Sequence, residues 1–377
     1  MTTSTLTPVS GILDGPALKF LAGCQGPCIT IVVPAHHPGA QEGSRKALVH
    51  GLVRTAAEQM NRGKLAGKAA ADLLAPLEEI AQEAGVEAGG AGFAIFRSPE
   101  FTARYYLPDT DGNNPPEKLV IGDYFYVAPF VADAFALHDF FVLGLSTKQL
   151  RFFRYGNGEC HELPLPAAVP ASLDTAGGFD KPDHDLETRS ASGKSTGAMG
   201  GVRSGTLSDR EKFPEYLHHF FEIVDRGLKP ALDGKPLLLM GVHEEVVAYR
   251  RTAKHAHILT TDCLGSIDFL TVPDIAARAT KACRAHHQLI AERVLADYQE
   301  MPDRGRTLAD VPAVVRAAGE GRVHRLCVRA GTEVPGPDGE ELVNTAVVKA
   351  LSAGGEVFVL PKNKMPPALP LAAILRY

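Results

Sequence analysis

The chain has 377 residues, of which 45% are hydrophobic and 22% charged, and its formal net charge is −5. This length predicts two or three domains of about 100–150 residues, and this charge excludes a generally basic nucleic-acid-binding protein, although not a local basic patch. Because there is no apolar run of about 20 residues, no secretory signal in the first residues and only six cysteines, we expect a cytoplasmic protein with reduced thiols and no membrane contact.

The first segment, residues 1–134, alternates strands with helices. Cys28–Pro34 is a continuous apolar and β-branched run, which is typical of a buried strand. Two helices and two strands are predicted after it, over 48–60, 73–84, Phe93–Phe96 and Leu119–Val127. This alternation indicates an N-terminal α/β domain.

The second segment, residues 135–268, opens with two predicted strands and contains a long loop. Asp139–Leu145 and Leu150–Tyr155 are spaced as a hairpin. Apolar periodicity is then lost over about 166–212, a length that predicts a functional or disordered loop. We expect a helix to start near Phe213, with Pro214 in its first turn. A buried strand over Pro236–Val242 and a helix or turn with Arg250 and Arg251 complete the segment.

The third segment, residues 269–377, alternates helices with strands at the spacing of a small α/β sandwich. Its elements are predicted over 273–299, 308–318, 323–328, 343–351, 357–360 and 371–375. The chain is therefore interpreted as a three-domain α/β protein.

Several motifs in the sequence do not form a complete site. Ser192–Thr196 has the end of a phosphate-binding loop, but Thr188 stands where that motif needs glycine. Cys24 and Cys28 have no second ligand pair nearby, so that no metal site is predicted there. His243-Glu244-Glu245 follows a predicted strand, which is a weak indication of a catalytic group.

The strongest candidate is the glycine-rich stretch 197–205 immediately before the amphipathic helix. Glycine lets a backbone approach a ligand closely, and Lys194 and Arg203 make the stretch locally basic. Such a tip suits insertion into a crowded anionic pocket such as RNA. A surface loop without a partner is the alternative.

The order of these elements resembles the class 1 peptide-release factors of archaea and eukaryotes and their relative Pelota, and more closely the bacterial proteins related to them. The resemblance covers roughly 138–377. The fragments that carry it are Phe141–Phe153, Pro236–Val242, Val314–Val328 and the closing Leu371–Tyr377, together with the opening strand Cys28–Pro34. It implies a ribonuclease-H-like middle domain and a small C-terminal α/β sandwich.

The resemblance also implies a site at the tip of the loop. In these factors a Gly-Gly-Gln tip enters the peptidyl-transferase centre and promotes hydrolysis of peptidyl-tRNA. By position, Gly200 and Gly201 match the two glycines, and Val202 stands where the family has Gln. Since Val has no amide to orient water, the hydrolytic mechanism does not carry over directly, although a backbone N–H could stabilise developing charge.

These observations lead to a hypothesis of a ribosome-binding factor without a cofactor. Its RNA contacts, to rRNA or tRNA, would come from Lys194 and Arg203 and from clusters such as Arg250-Arg251-Lys254 or Arg322-Arg325-Arg329, and the resemblance implies a translational GTPase as a further partner. The first segment lacks the Asn-Ile-Lys-Ser signature of stop-codon reading. Rescue, hibernation or stress response therefore fits better than codon-specific termination.

Two hypotheses from other classes remain open, and the sequence does not decide the oligomeric state. A stand-alone metal-dependent hydrolase or nuclease would need convergent carboxylates, for which Asp139, Asp225 and Glu244 are the candidates. A non-catalytic interaction scaffold would need only a loop that becomes ordered on a protein partner.

Overall fold

The computed structural model describes residues 9–34, 42–62, 68–83, 92–107, 115–136, 139–156, 159–176, 206–301, 305–337 and 339–377. The chain forms two compact units, one of Met1–Leu137 with His287–Tyr377 and the other of His138–His286. The architecture is mixed α/β with three sheets, each built from one of the three segments. The division into three domains stays a prediction. In the described part of the chain, no helix is long and apolar enough to cross a membrane.

The first unit contains a five-stranded sheet with the order β1-β4-β3-β2-β5. Its strands are β1 (Val9–Ile12), β2 (Cys28–Val33), β3 (Gly92–Arg97), β4 (Thr102–Leu107) and β5 (Lys118–Gly122), and its helices are α1 (Gly15–Gly23), α2 (Glu42–Arg62) and α3 (Lys68–Glu83). Both faces of β2 are buried: Ile29 and Ile31 pack with α2 and α3, and Val32 packs on the opposite side. Burial on both faces explains the continuous apolar run.

The second sheet of this unit has the order β11-β14-β12-β13. Its elements are β11 (Thr307–Leu308), α8 (Val311–Gly319), β12 (Val323–Arg329), α9 (Leu342–Ser352), β13 (Glu356–Leu360) and β14 (Leu371–Leu375). Helices α1 and α9 share one apolar core. Buried Asn344 of α9 accepts hydrogen bonds from the backbone N–H groups of Val127 (2.8 Å) and Ala128 (3.1 Å) and donates to the carbonyl of Phe125 (2.9 Å). The two ends of the chain are thus fastened together.

The other unit is built on a mixed sheet with the order β10-β9-β6-β7-β8. Its elements are β6 (Asp139–Leu145), β7 (Arg151–Gly156), β8 (Glu159–Leu163), α5 (Thr206–Leu232), β9 (Leu237–Gly241), α6 (His243–Thr252) and β10 (Cys263–Leu264). Strands β6, β9 and β10 are parallel, whereas β7 and β8 extend the sheet antiparallel. A short helix, α4 (Val131–Ala134), precedes this unit, and α7 (Val272–Glu300) begins within it and ends in the first unit.

The long apolar elements agree with the sequence, but several boundaries do not. The helices expected over 48–60 and 73–84 begin at Glu42 and Lys68. The buried strands and the helix from about residue 273 are confirmed. The helix expected to start near Phe213 begins at Thr206, so that Pro214 lies inside it. Residues 206–212 include four charged side chains and no apolar stripe, so the apolar pattern alone does not indicate a helix there. The strand expected to reach Val127 ends at Gly122.

Candidate nucleic-acid interface

The predicted tip of the long loop lies outside the described residues. Lys194, Gly200, Gly201, Val202 and Arg203 all fall within 177–205. Their roles therefore stay predictions. The structure does describe the chain on both sides of this stretch, which defines the surroundings of the site.

Helix α5 is the element on which the tip would be carried. It has 27 residues, which corresponds to a length of about 40 Å. Its apolar face, with Phe220, Phe221 and Val224, is fully buried against the sheet. At Gly227 a Cβ atom would lie only 2.7 Å from Val169 Cγ2. The absence of a side chain therefore lets the segment before residue 177 pack closely on α5.

The segment before residue 177 is also anchored to the sheet. The N–H of Leu150 donates to the carbonyl of Ala171 (2.7 Å), and the N–H of Leu173 donates to that of Thr147 (2.9 Å). The predicted loop of 166–212 therefore begins with residues that have defined partners and ends within α5.

Arg250, one of the three predicted cations at the end of α6, forms hydrogen bonds and an ion pair within the protein. Its Nη2 donates to the carbonyl of Leu259 (2.6 Å) and forms an ion pair with Asp262. The Arg250 side chain is 34% exposed. Because its charge is compensated by Asp262, Arg250 is a poor candidate for binding a phosphate.

Arg251 and Lys254, by contrast, are exposed and lie where α6 meets α5. The backbone N–H of Lys254 donates to Asp225 Oδ2 (2.9 Å), which places the residues after α6 beside the C-terminal third of α5. Exposed Arg226 and Lys229 lie within one helical turn of Asp225. Within the described residues, none of these four cations forms an ion pair. We call Arg226, Lys229, Arg251 and Lys254 the cationic junction.

The sequence could not have indicated the whole cationic junction. Arg226 and Lys229 precede Lys254 by more than 20 residues, and it is the packing of α6 on α5, including the hydrogen bond between Lys254 and Asp225, that brings them together. Asp225 also accepts a hydrogen bond from the buried hydroxyl of Tyr249 at 3.4 Å. Burial, together with the negative charge of Asp225, raises the pKa of Tyr249 well above its usual range. Tyr249 is therefore neutral, and Asp225 is held in place.

The other end of α6 is acidic. Glu244 and Glu245 lie in its first turn, where carboxylates interact favourably with the helix dipole. Glu245 accepts a hydrogen bond from the N–H of Thr147 (3.0 Å). Burial, and to a smaller extent the charges of Asp268 and Glu244, raise the pKa of Glu245. Anions would therefore be attracted to the C-terminal end of α6 and repelled from its N-terminal end.

The carboxylates of the hydrolase hypothesis are not brought together. Asp139 starts β6 and pairs with Lys235 and Arg154, and these cations, Lys235 first, lower the pKa of Asp139. Glu244 follows the far end of the parallel strand β9, about 20 Å along the sheet. Asp225 is occupied by Tyr249 and Lys254. Among the described residues, no group of three His, Cys, Asp or Glu is arranged to hold a metal ion.

The remaining sequence candidates have local roles. Arg325 lies between Glu356 (3.0 Å) and Asp297 (3.5 Å), and Arg322 pairs with Glu320. Arg329 is at the opposite end of β12 and donates to Thr332. These three arginines therefore form no joint basic cluster.

Cys24 and Cys28 are free thiols in the first unit. Burial is the main cause that raises the pKa of Cys28 to about 12. Burial also raises the pKa of Cys24. Among the described residues, Cys24 and Cys28 belong to no group of three potential metal ligands.

Comparison with known proteins shows what the middle of the chain is similar to. Residues 139–322 match a sequence family of relatives of the archaeal and eukaryotic release factors. The matching family is bacterial archaeo-eukaryotic release factor family 3, which confirms the resemblance over this stretch. No curated protein sequence matches the chain.

Solved structures of release factors and Pelota proteins show a weaker similarity. The archaeal termination factor aRF1 is 13% identical, with a TM-score of 0.24 and coverage of 98% of this chain and 99% of the other. Archaeoglobus fulgidus Pelota is also 13% identical, with a TM-score of 0.32 and coverage of 77% and 80%. A ribosome-bound archaeal Pelota with ABCE1 is 11% identical, with a TM-score of 0.36 and coverage of 97% and 95%. Such TM-scores do not bear on function.

Proposed function

We propose that this protein is a cytoplasmic, ribosome-binding translation factor of the release-factor type that acts in rescue, hibernation or stress response. The observation that carries the proposal is the match of residues 139–322 to a release-factor-related family. The cationic junction supports it, because exposed, uncompensated arginine and lysine side chains bind nucleic-acid phosphates without reading sequence.

In this proposal the two parts of the middle segment have different tasks. The stretch 188–205, with Gly200 and Gly201 at its tip, enters the tRNA-binding cleft, where Lys194 and Arg203 contact RNA. The cationic junction binds the phosphate backbone of rRNA or tRNA about 30 Å further along α5, since it lies some 20 residues after Thr206. The long helix α5 thus separates the tip of the loop from the cationic junction.

Codon-specific termination is the less suitable task for two chemical reasons. The first segment lacks the Asn-Ile-Lys-Ser signature of stop-codon reading. Val202 also lacks the side-chain amide that the resembled factors use at the tip. A factor that occupies a ribosome, alone or with a translational GTPase, needs neither feature. Hydrolysis of peptidyl-tRNA would then depend on backbone groups of the tip.

Sedimentation with purified ribosomes tests this proposal. The full-length protein should co-sediment at low salt and bind less at moderate salt, because phosphate binding releases counterions. Deletion of 190–206 should abolish binding. The double reversal Arg251→Glu/Lys254→Glu should weaken it at least tenfold. Lys148→Glu/Lys281→Glu is the matched control, since it reverses two exposed cations elsewhere and leaves the same net charge.

Two outcomes would contradict the proposal in different ways. If the wild-type protein does not co-sediment, even with ribosomes from starved cells, the proposal that it binds ribosomes is wrong. Equal weakening by both double reversals would still show that the protein binds ribosomes, but it would show that the cationic junction has no specific role in this binding.

A separate experiment tests the tip of the loop. In the ribosome-bound protein, Val202→Gln should raise the rate of peptidyl-tRNA hydrolysis if the missing side-chain amide limits that reaction.

A further inference from the structure

The loop between β10 and α7 presents an apolar side chain to solvent. Phe269 is 94% exposed, which makes it the most exposed large hydrophobic residue in the described part of the chain, and Leu264 at the end of β10 is 57% exposed. Single exposed apolar residues are common on proteins, but Phe269 is almost completely exposed, and the exposed Leu264 is only five residues away in the sequence. We call Leu264, Asp268 and Phe269 the knob.

The loop that carries the knob is held by the body of the unit. Arg151 donates from Nη1 to the carbonyl of Leu270 (2.7 Å), and its guanidinium also binds both carboxylate oxygens of Glu162 (2.8 and 2.7 Å). Ile267, in the middle of the loop, is completely buried. Phe269 is therefore presented by a fixed backbone, and little conformational entropy is lost when the ring enters a pocket.

The surroundings of the knob are acidic. Asp268 and Asp274 are exposed, and Asp268 is close enough to Glu245 of α6 to act on its ionisation. Two arginines approach this loop: Arg151, whose charge is paired with Glu162, and Arg278, whose Nη1 lies 3.4 Å from the position of a Cβ on Gly265. An RNA surface would be repelled by this excess of carboxylates. A protein surface with lysine and arginine around an apolar pocket would be attracted.

We propose that the knob is a docking site for a partner protein whose apolar pocket is rimmed by lysine and arginine. Phe269 fills the pocket, Leu264 packs beside it, and Asp268 pairs with the rim. Large apolar side chains surrounded by paired charges are where binding energy concentrates in protein interfaces. This inference goes beyond ribosome binding and does not depend on it, since the cationic junction and the knob are separate surfaces with opposite charge.

Site-specific photo-cross-linking of the full chain, followed by affinity measurement, tests the inference. A benzoylphenylalanine is placed at position 269 in cells, and the adduct is identified by mass spectrometry. We expect one protein with a cation-rimmed apolar pocket. Binding of that purified protein should weaken at least tenfold with Phe269→Ala and with Asp268→Lys. It should change less than twofold with Leu289→Ala, the matched control, which removes an exposed leucine (41%) on α7.

Every other outcome overturns the inference. An adduct with RNA, with a second copy of the chain or within the same chain would assign the knob to a different contact, and the lack of any adduct would leave it without one. A partner whose affinity is unchanged by Phe269→Ala would also refute it. Misfolding is separable, because a ring that is 94% exposed contributes little to stability, so Phe269→Ala should melt at the wild-type temperature.

Discussion

At the scale of single residues, Arg250 and Arg251 are neighbours in sequence with different roles: one bonds within the protein and the other is exposed to solvent. Arg250 bonds to Leu259 and Asp262, whereas Arg251 is exposed and has no ion pair among the described residues. Both lie in the last turn of α6, where cations interact favourably with the helix dipole. The difference in their partners is therefore what separates a structural arginine from a candidate phosphate ligand.

This difference predicts opposite effects of two alanine substitutions. Arg250→Ala leaves Asp262 and the Leu259 carbonyl without a partner and should lower the free energy of unfolding by about 1–3 kcal/mol. Arg251→Ala should leave it within about 0.5 kcal/mol, as is usual for surface substitutions, and weaken ribosome binding. Denaturant unfolding and sedimentation measure the two effects. A loss of stability in both variants, or in neither, would contradict the assignment.

Glu245 predicts a pH-dependent stability. Its pKa is raised in the folded protein, mainly by burial, so the folded state binds its proton more tightly than the unfolded state. The charged form of Glu245 therefore disfavours folding at neutral pH, and this penalty disappears as the pH falls below the unfolded pKa of about 4. Glu245→Gln keeps an acceptor for the Thr147 N–H and should be more stable than wild type at pH 7.

Unfolding by denaturant at pH 7 and at pH 4 measures this effect. The advantage of Glu245→Gln should shrink at the lower pH. An advantage of the same size at both pH values would show that the carboxylate's ionisation is not its cause. Glu244→Gln, at an exposed neighbouring position, is the control.

At the scale of elements, the sequence predicts best those helices and strands whose burial follows from the apolar pattern of their own residues. The continuous apolar runs of β2 and β9 identify buried strands, because both of their faces are covered. The edge strand β8 was missed because its residues, Glu159–Leu163, are largely exposed. The cationic junction was only half predicted, since Arg226 and Lys229 join it through a contact between α5 and the end of α6. Long-range contacts of this kind leave no local signal.

The close packing of α5 on the segment before residue 177 predicts that replacing a helical glycine by alanine destabilises the protein there, which is opposite to the usual effect of helix propensity. Alanine in place of a helical glycine normally stabilises by up to about 1 kcal/mol. At Gly227 the new Cβ would lie 2.7 Å from Val169 Cγ2 and 2.9 Å from the Ala168 carbonyl oxygen, so Gly227→Ala should destabilise by about 1–3 kcal/mol. Gly51→Ala in α2 meets nothing within 4 Å and should stabilise.

Thermal unfolding of both variants checks this pair. Opposite signs of the change in melting temperature are expected. Stabilisation by Gly227→Ala would mean that the segment 166–176 does not pack on α5 as described. Such a result would also mean that residues 166–176, which begin the long loop, do not hold α5 in place.

At the scale of the whole molecule, the first and last segments of the chain share one core. Leu18 and Leu21 of α1 belong to the same apolar cluster as Ala346 and Val347 of α9. Asn344 adds three hydrogen bonds to residues 125–128. The sequence could not indicate this, because each segment alone has the pattern of an independent α/β domain, and nothing local tells which helix covers which sheet.

The shared core predicts that the C-terminal segment does not fold fully without the N-terminal one. In a chain that begins at residue 138, the face of α9 that packs on α1 would be exposed to water, at a cost of about 25 cal/mol per Å² of apolar surface. Hydrogen exchange should then show that residues 311–351 lose protection, while β6, β9 and α6 keep theirs, since their core draws on 141–258. Unchanged protection of 311–351 would instead support three independent domains, as the sequence alone suggests. The experiment therefore decides whether the N-terminal and C-terminal segments fold as one unit or as two independent domains.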